Sequence, residues 1–133
     1  MNEPETVAKI LAMKTIAVVG LSDKPERPSY GVAAYLKGHG YRIVPVNPMI
    51  GEWLGEKSYA KLEDIPFAID VVDVFRKSED VPPIVASAIA IKAKAVWMQE
   101  GVVNPAAAAE AEKAGLLAVM DRCLMKEHRK ANQ

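Results

Sequence analysis

Thr15-Ile16-Ala17-Val18-Val19-Gly20-Leu21-Ser22-Asp23-Lys24-Pro25-Glu26-Arg27-Pro28-Ser29 is the stretch on which the fold turns. Its first residues form a compact apolar run that stops at Gly20. A run apolar on both faces suits a central parallel strand covered by helices on each side. The segment Gly20–Ser29 is instead rich in proline, serine and charge. From Ser29 to Lys37 the spacing of Val32, Ala33 and Leu36 predicts a helix, with Gly38 and Gly40 as its stop.

The same alternation extends outward from this unit. Upstream, residues 3–13 set Val7, Ile10 and Leu11 at helical spacing behind Pro4, which a first turn tolerates. Downstream, Tyr41–Val46 is a second strand cut short by Asn47-Pro48, and Ser58–Ile65 suggests a short helix ended by Pro66. Ile69–Phe75 is the third strand, and Val81, Ile84, Val85, Ala88 and Ile89 then trace a helix with Ser78 as its candidate cap. Ala95–Met98 is the fourth strand, and Asn104-Pro105 opens a helix that Gly115 closes. Leu116–Met120 is the fifth strand, and a polar tail from Asp121 ends in a short helix. Repeated strand–helix–strand is the signature of an α/β, Rossmann-like, doubly wound parallel sheet with helices on both faces. Right-handed crossovers favour the order 3-2-1-4-5 for about five strands.

Composition narrows the class. At 133 residues the chain has the size of a single domain, 1–133. Lys plus Arg number 17 and Asp plus Glu number 17, so net charge gives no reason to expect a nucleic acid or an anionic membrane as partner. No apolar run approaches membrane-spanning length, and the amino terminus carries no signal-peptide pattern. The 1 cysteine, Cys123, leaves no intramolecular disulfide and suits a reducing, cytoplasmic setting. With 2 histidines, no metal site is expected.

In open parallel sheets a ligand sits outside the carboxyl ends of the strands, where the winding reverses. Here that is the end of the first strand. Gly20 allows a tight turn and close backbone approach, Ser22 and Ser29 offer hydroxyls, and Lys24 and Arg27 offer charge to a phosphate. The following helix aims its positive end and free N–H groups at the same place. A solvated connection would look similar, but many βα connections need only a few residues, so this length suggests use. Of the glycines in a dinucleotide-binding fingerprint only Gly20 is present, and the second strand ends in Pro45-Val46-Asn47-Pro48 without the usual carboxylate. These features favour an adenine nucleotide other than NAD, with Pro45 and Pro48 stiffening the turn beside it.

These blocks resemble a known family. Ala17–Ser22 with Lys24–Tyr30, Gly40–Pro48, Val72–Arg76, Val96–Val102 and Asp121–Cys123 are similar, in order and over nearly the whole chain, to the small bacterial and archaeal CoA-binding proteins. That family is in turn similar to the CoA-binding domain of the succinyl-CoA synthetase α subunit. The resemblance implies coenzyme A, or an acyl-CoA, held at the carboxyl edge of the sheet. It implies that Gly20, Ser22, Lys24 and Arg27 handle the phosphates, with Ser29 and Tyr30 as further cofactor-binding candidates, and that Pro45, Val46, Asn47 and Pro48 flank the adenosine. Val74, Phe75 and Arg76 would close over the nucleotide, and Gln99 would lie beside the pantetheine arm.

No catalytic set assembles from the sequence. His39 lies in a turn opposite the expected ligand edge and His128 in the polar tail, while Asp73 suits a structural hydrogen bond. A binding module whose chemistry a protein partner supplies is therefore the expectation. The alternatives are an NAD(P)-binding, reductase-like protein and an interaction subunit of a larger acyl-CoA enzyme that has lost its ligand. Cys123 follows the fifth strand on the ligand edge, where it could meet the CoA thiol, although a free cysteine is more often a small buried hydrophobe.

Overall fold

A computed structural model describes residues 1–133. The elements run α1 (Pro4–Leu11), β1 (Thr15–Val19), α2 (Pro28–Gly38), β2 (Arg42–Val46), β3 (Glu52–Trp53), β4 (Glu56–Lys57), β5 (Val71–Val74), α3 (Val81–Ala90), β6 (Ala95–Met98), α4 (Pro105–Lys113), β7 (Leu117–Val119) and α5 (Leu124–Ala131). Short 3-10 turns occupy Leu62–Asp64 and Ser78–Asp80. No helix is long and apolar enough to cross a membrane.

The main sheet is parallel, with the order β2-β1-β5-β6-β7, while β3 and β4 form a separate antiparallel hairpin. Every residue of β5 and β6 is buried, Asp73 included, as in strands covered on both faces. Helices α1, α2 and α5 cover one face through Ile10, Leu36 and Leu124 against Ile16, Val18 and Trp97. Helices α3 and α4 cover the other, where Ala108 and Ala111 are small enough to bring α4 close to Val96 and Ala118. Full burial of a Leu or Ile side chain is worth roughly 1.5–3 kcal/mol, so these two layers supply the main drive to fold.

The α/β class and the reversed winding agree with expectation; the occupant of one position differs. The 69–75 run was expected outside β2. Instead β5 pairs with the other side of β1, with Ile16 opposite Val71 and Val19 opposite Val74. The place outside β2 is taken by a single parallel bridge between Val46 and Tyr59. Counting that bridge as the third strand keeps the 3-2-1-4-5 pattern, with β5 its fourth member, and adds β7 as a sixth at the far edge. Burial explains the exchange: β5 is buried along its whole length and suits the interior, whereas Ser58 and Tyr59 are only partly buried and fit an edge.

That bridge also removes most of the helix expected at Ser58–Ile65. Tyr59 donates its N–H to the Pro45 carbonyl at 3.1 Å, and Asn47 donates to the Tyr59 carbonyl at 2.8 Å. The pair holds the chain extended, and only Leu62–Asp64 coils. Pro45, which has no N–H to give, is tolerated in β2 because this outer side is bridged by so little chain.

Two further expectations change. Ser78 does not cap α3; its hydroxyl accepts the Val103 N–H at 2.9 Å, and Asn104 donates to the Ser78 carbonyl at 3.0 Å. Asp73 makes no structural hydrogen bond: it is wholly buried in β5, between Val18 and Trp97, and both carboxyl oxygens lack a partner. Burial pushes its pKa well above the ordinary carboxyl value. The start of α4 is as expected, with Asn104 accepting the Ala107 N–H at 3.0 Å and Pro105 in the first turn. At the free edge of β7, Asn2 acts like a strand residue: its amide donates to the Met120 carbonyl at 2.8 Å and accepts the Met120 N–H at 2.9 Å.

Candidate functional site

Three strand ends converge on Gly20. Its N–H donates to the Val46 carbonyl at 3.0 Å, and the Phe75 N–H donates to the Val19 carbonyl at 2.9 Å. Gly20 adopts φ +89°, and a β-carbon there would meet the Phe75 carbonyl oxygen at 2.4 Å. Only glycine lets the β1 loop leave the sheet while lying flat against the end of β5.

The loop is shaped by its own serines. The Ser22 N–H donates to the Ser29 hydroxyl at 3.0 Å, and the Lys24 N–H donates to the Ser22 hydroxyl at 3.1 Å. Each hydroxyl accepts a backbone donor and keeps its own proton to give. Asn47 Nδ2 donates to the Leu21 carbonyl at 3.0 Å, which ties the loop to the β2 turn. Lys24 and Arg27 stay exposed, and α2 begins at Pro28 with no side-chain cap. The result is a depression of about 370 Å³ bordered by Gly20, Ser22, Lys24, Arg27, Ser29 and Phe75. Uncapped N–H groups at the start of α2 give it a positive bias.

Two further depressions lie along the same edge. One, of about 340 Å³, is bordered by Val19, Val46, Lys61, Leu62, Arg76 and α3 side chains including Ile84 and Ser87. The other, of about 790 Å³, lies across the ends of β5 and β6 and is bordered by Phe75, Arg76, Lys77, Gln99, Val102 and Cys123. Arg76 belongs to both, and Phe75 is shared by the second and the Gly20 loop depression. Together they make one trench along the carboxyl edge of the sheet. Arg76 also reaches Asp80 at 3.5 Å, so an anion would compete with an internal carboxylate for it.

Of the residues singled out from sequence, Gly20, Ser22, Lys24, Arg27, Ser29, Val46, Phe75, Arg76, Gln99 and Cys123 border this trench. The others have different surroundings. Val74 is fully buried in the core. Tyr30 packs edge-on against Trp53 with ring centres 5.6 Å apart. Pro45 is buried within β2, Pro48 is exposed, and neither borders a depression. Asn47 spends its side chain on the fold, with Oδ1 accepting the Met49 N–H at 2.8 Å. Lys61, Leu62, Ile84 and Ser87 border the trench and were missed, because the Tyr59 bridge that carries Lys61 to the end of β2 leaves no periodic signal.

The walls of the largest depression are stitched to one another. Gln99 Oε1 accepts the Leu124 N–H at 3.2 Å, and Asp121 Oδ1 accepts the Gly101 N–H at 2.7 Å. Asp121 takes φ +60°, a conformation an aspartate tolerates better than most residues. Lys126 pairs with Glu100 at 3.0 Å, which holds its ammonium above the ordinary lysine pKa. The two histidines lie elsewhere, their rings 5.0 Å apart, where the end of α2 meets α5. His128 Nδ1 lies 2.9 Å from the Tyr35 hydroxyl, and burial, then His39, push its pKa down.

The sheet is Rossmann-like, and a long glycine-started loop leaves it at the switch point of the winding. The chain belongs to the CoA binding domain family, whose model matches residues 14–129. It is 42% identical over 115 residues to the uncharacterized protein YneT of Bacillus subtilis, a match covering 86% of this chain and 85% of that one. It is 32% identical over 75 residues, 55% of this chain, to Acetate--CoA ligase [ADP-forming] II of Archaeoglobus fulgidus, of which the match covers 11%. Among solved structures, a hypothetical protein from Pyrococcus horikoshii superposes with a TM-score of 0.92 at 44% identity, covering 97% of this chain and 92% of that one.

Proposed function

We propose that the protein binds coenzyme A, or an acyl-CoA, through its ADP moiety, as a binding module without a catalytic set of its own. The observation that carries this reading is that three depressions lie side by side at the carboxyl edge of the sheet, with Phe75 and Arg76 as shared walls. The part with Lys24 and Arg27 beside the start of α2 has the charge and the free N–H groups that a pyrophosphate needs. The part beside Val46, Leu62 and Ile84 offers an adenosine apolar walls, with Lys61 and Arg76 available to a further phosphate. The part bordered by Gln99 and Cys123 would take the pantetheine arm.

Two facts support CoA over NAD. The end of β2 carries Asn47 where a dinucleotide site needs a carboxylate for the ribose, and its side chain is already committed to Leu21 and Met49. Family membership supports the same ligand. That the ligase match covers 11% of that larger enzyme supports a module whose chemistry a partner supplies.

Isothermal titration of the full chain with CoA, NAD and NADP, in the presence of reductant, tests this. Saturable CoA binding with neither dinucleotide competing is expected. Binding of NADP without binding of CoA would overturn the proposal.

A further inference from the structure

We propose that the trench also performs thiol–disulfide exchange: Cys123, in the wall of the β5–β6 depression, accepts a CoA-type disulfide and retains one half as a mixed disulfide. This rests on the CoA reading above and adds a covalent step to it.

Cys123 is 5% exposed, and it borders the largest depression of the molecule. It is the last residue before α5, and its carbonyl accepts the Glu127 N–H at 3.0 Å, so its backbone is fixed by the first turn of that helix. A buried cysteine alone would be a packing residue. Gln99 changes that balance. This side chain is 4% exposed and borders the same depression, yet only its Oε1 is engaged, by the Leu124 N–H. Its amide nitrogen has no acceptor in the protein and is not sealed from the depression. That N–H opens on the depression and is free to meet an acceptor there.

An N–H donor beside a thiol matches one end of the proposed ligand. A pantetheine arm carries an amide carbonyl a few bonds from its terminal sulfur. With the nucleotide held across Gly20 and Arg76, that arm has a bordered path past Phe75 to Gln99 and Cys123. The trench thus presents to a sulfur the one sulfur nucleophile of the chain.

The exchange balances without a further reagent. The Cys123 thiolate attacks one sulfur of CoA disulfide, and the Cys123–CoA S–S bond forms as the CoA–CoA bond breaks. The second CoA leaves as a thiolate and takes up the proton that Cys123 gave. Cys123 is oxidised, the departing CoA is reduced, and a reducing thiol reverses the step.

Intact-mass spectrometry of the full chain incubated with CoA disulfide, beside a parallel incubation with pantethine, tests the proposal. A single CoA adduct that reductant removes is expected, forming about tenfold or more faster with CoA disulfide, because a bound nucleotide raises the local concentration of the sulfur. Cys123→Ser should form none. Equal rates for the two disulfides would overturn the proposal by showing simple thiol accessibility. Reversible CoA binding without any adduct would overturn it too, while leaving the CoA reading intact. Failure of CoA to bind under reductant would remove the CoA reading itself.

Discussion

A β-carbon on Gly20 would stand 2.4 Å from the carbonyl oxygen of Phe75 and 2.9 Å from Cδ of Arg76. The first neighbour is backbone and cannot rotate away, and the φ of +89° at Gly20 disfavours any side chain. Gly20→Ala should therefore cost about 2–4 kcal/mol, from strain plus the forced separation of β1 from the end of β5. Urea denaturation measures this; a variant within about 0.5 kcal/mol of wild type would contradict so close an approach.

Lys24 and Arg27 are exposed beside the start of α2, whereas Arg76 already faces Asp80. The double change Lys24→Ala, Arg27→Ala should weaken CoA binding by about 2–4 kcal/mol, as expected when charge-assisted contacts to phosphate are lost. Stability should change little, since neither side chain is part of the core. Unchanged affinity by titration calorimetry would remove both from the site.

Asp73 gives the protein a pH dependence of unusual sign. Its pKa is raised by burial, so the folded state binds its proton more tightly than the unfolded chain does. Its contribution is complete below the ordinary carboxyl pKa and is lost as pH rises through the raised value. Asp73→Asn keeps the shape and removes the titration. The variant should gain on wild type in urea denaturation as pH rises from the ordinary carboxyl value through the raised one; parallel curves would contradict an uncharged, buried Asp73.

His128 acts in the opposite direction. Burial, then His39, lower its pKa, so the contribution is present above the ordinary imidazole value and lost as pH falls through the lowered one. Protonation would place charge beside His39 in the packing of α5 on α2. His128→Phe should lose the Tyr35 hydrogen bond, about 1 kcal/mol, at every pH. Its thermal midpoint should then fall less than that of wild type between pH 7 and pH 5.

How much of this was legible in the sequence depends on how local each signal is. The Thr15–Val19 run, its stop at Gly20 and the Asn104-Pro105 helix start all declare themselves within a few residues, and all stand in the structure. The loop at Gly20–Ser29 was legible for the same reason. The Tyr59 bridge was not, because one residue pairing in parallel has no periodicity to read. Missing it put β5 outside β2 instead of on the far side of β1, and hid Lys61 and Leu62 from the site. Ser78 had the residue type of a cap but is occupied by the loop after β6, a partner chosen by tertiary packing. Asp73 suggested a hydrogen bond because buried carboxyls usually find one; only the packed sheet reveals that Val18 and Trp97 leave it none.

The doubly bonded amide of Asn2 has a consequence for how copies of the chain meet. β7 is the last strand of its sheet, and an open edge invites a strand from another molecule to add on. At Met120 both backbone groups that such a strand would use are already taken, by a side chain rather than by a strand. Asn2 therefore works as a plug against edge-to-edge aggregation. The amino-terminal residues protect the fold at a margin remote from the Gly20 loop, and losing them would show first in the solubility of the protein.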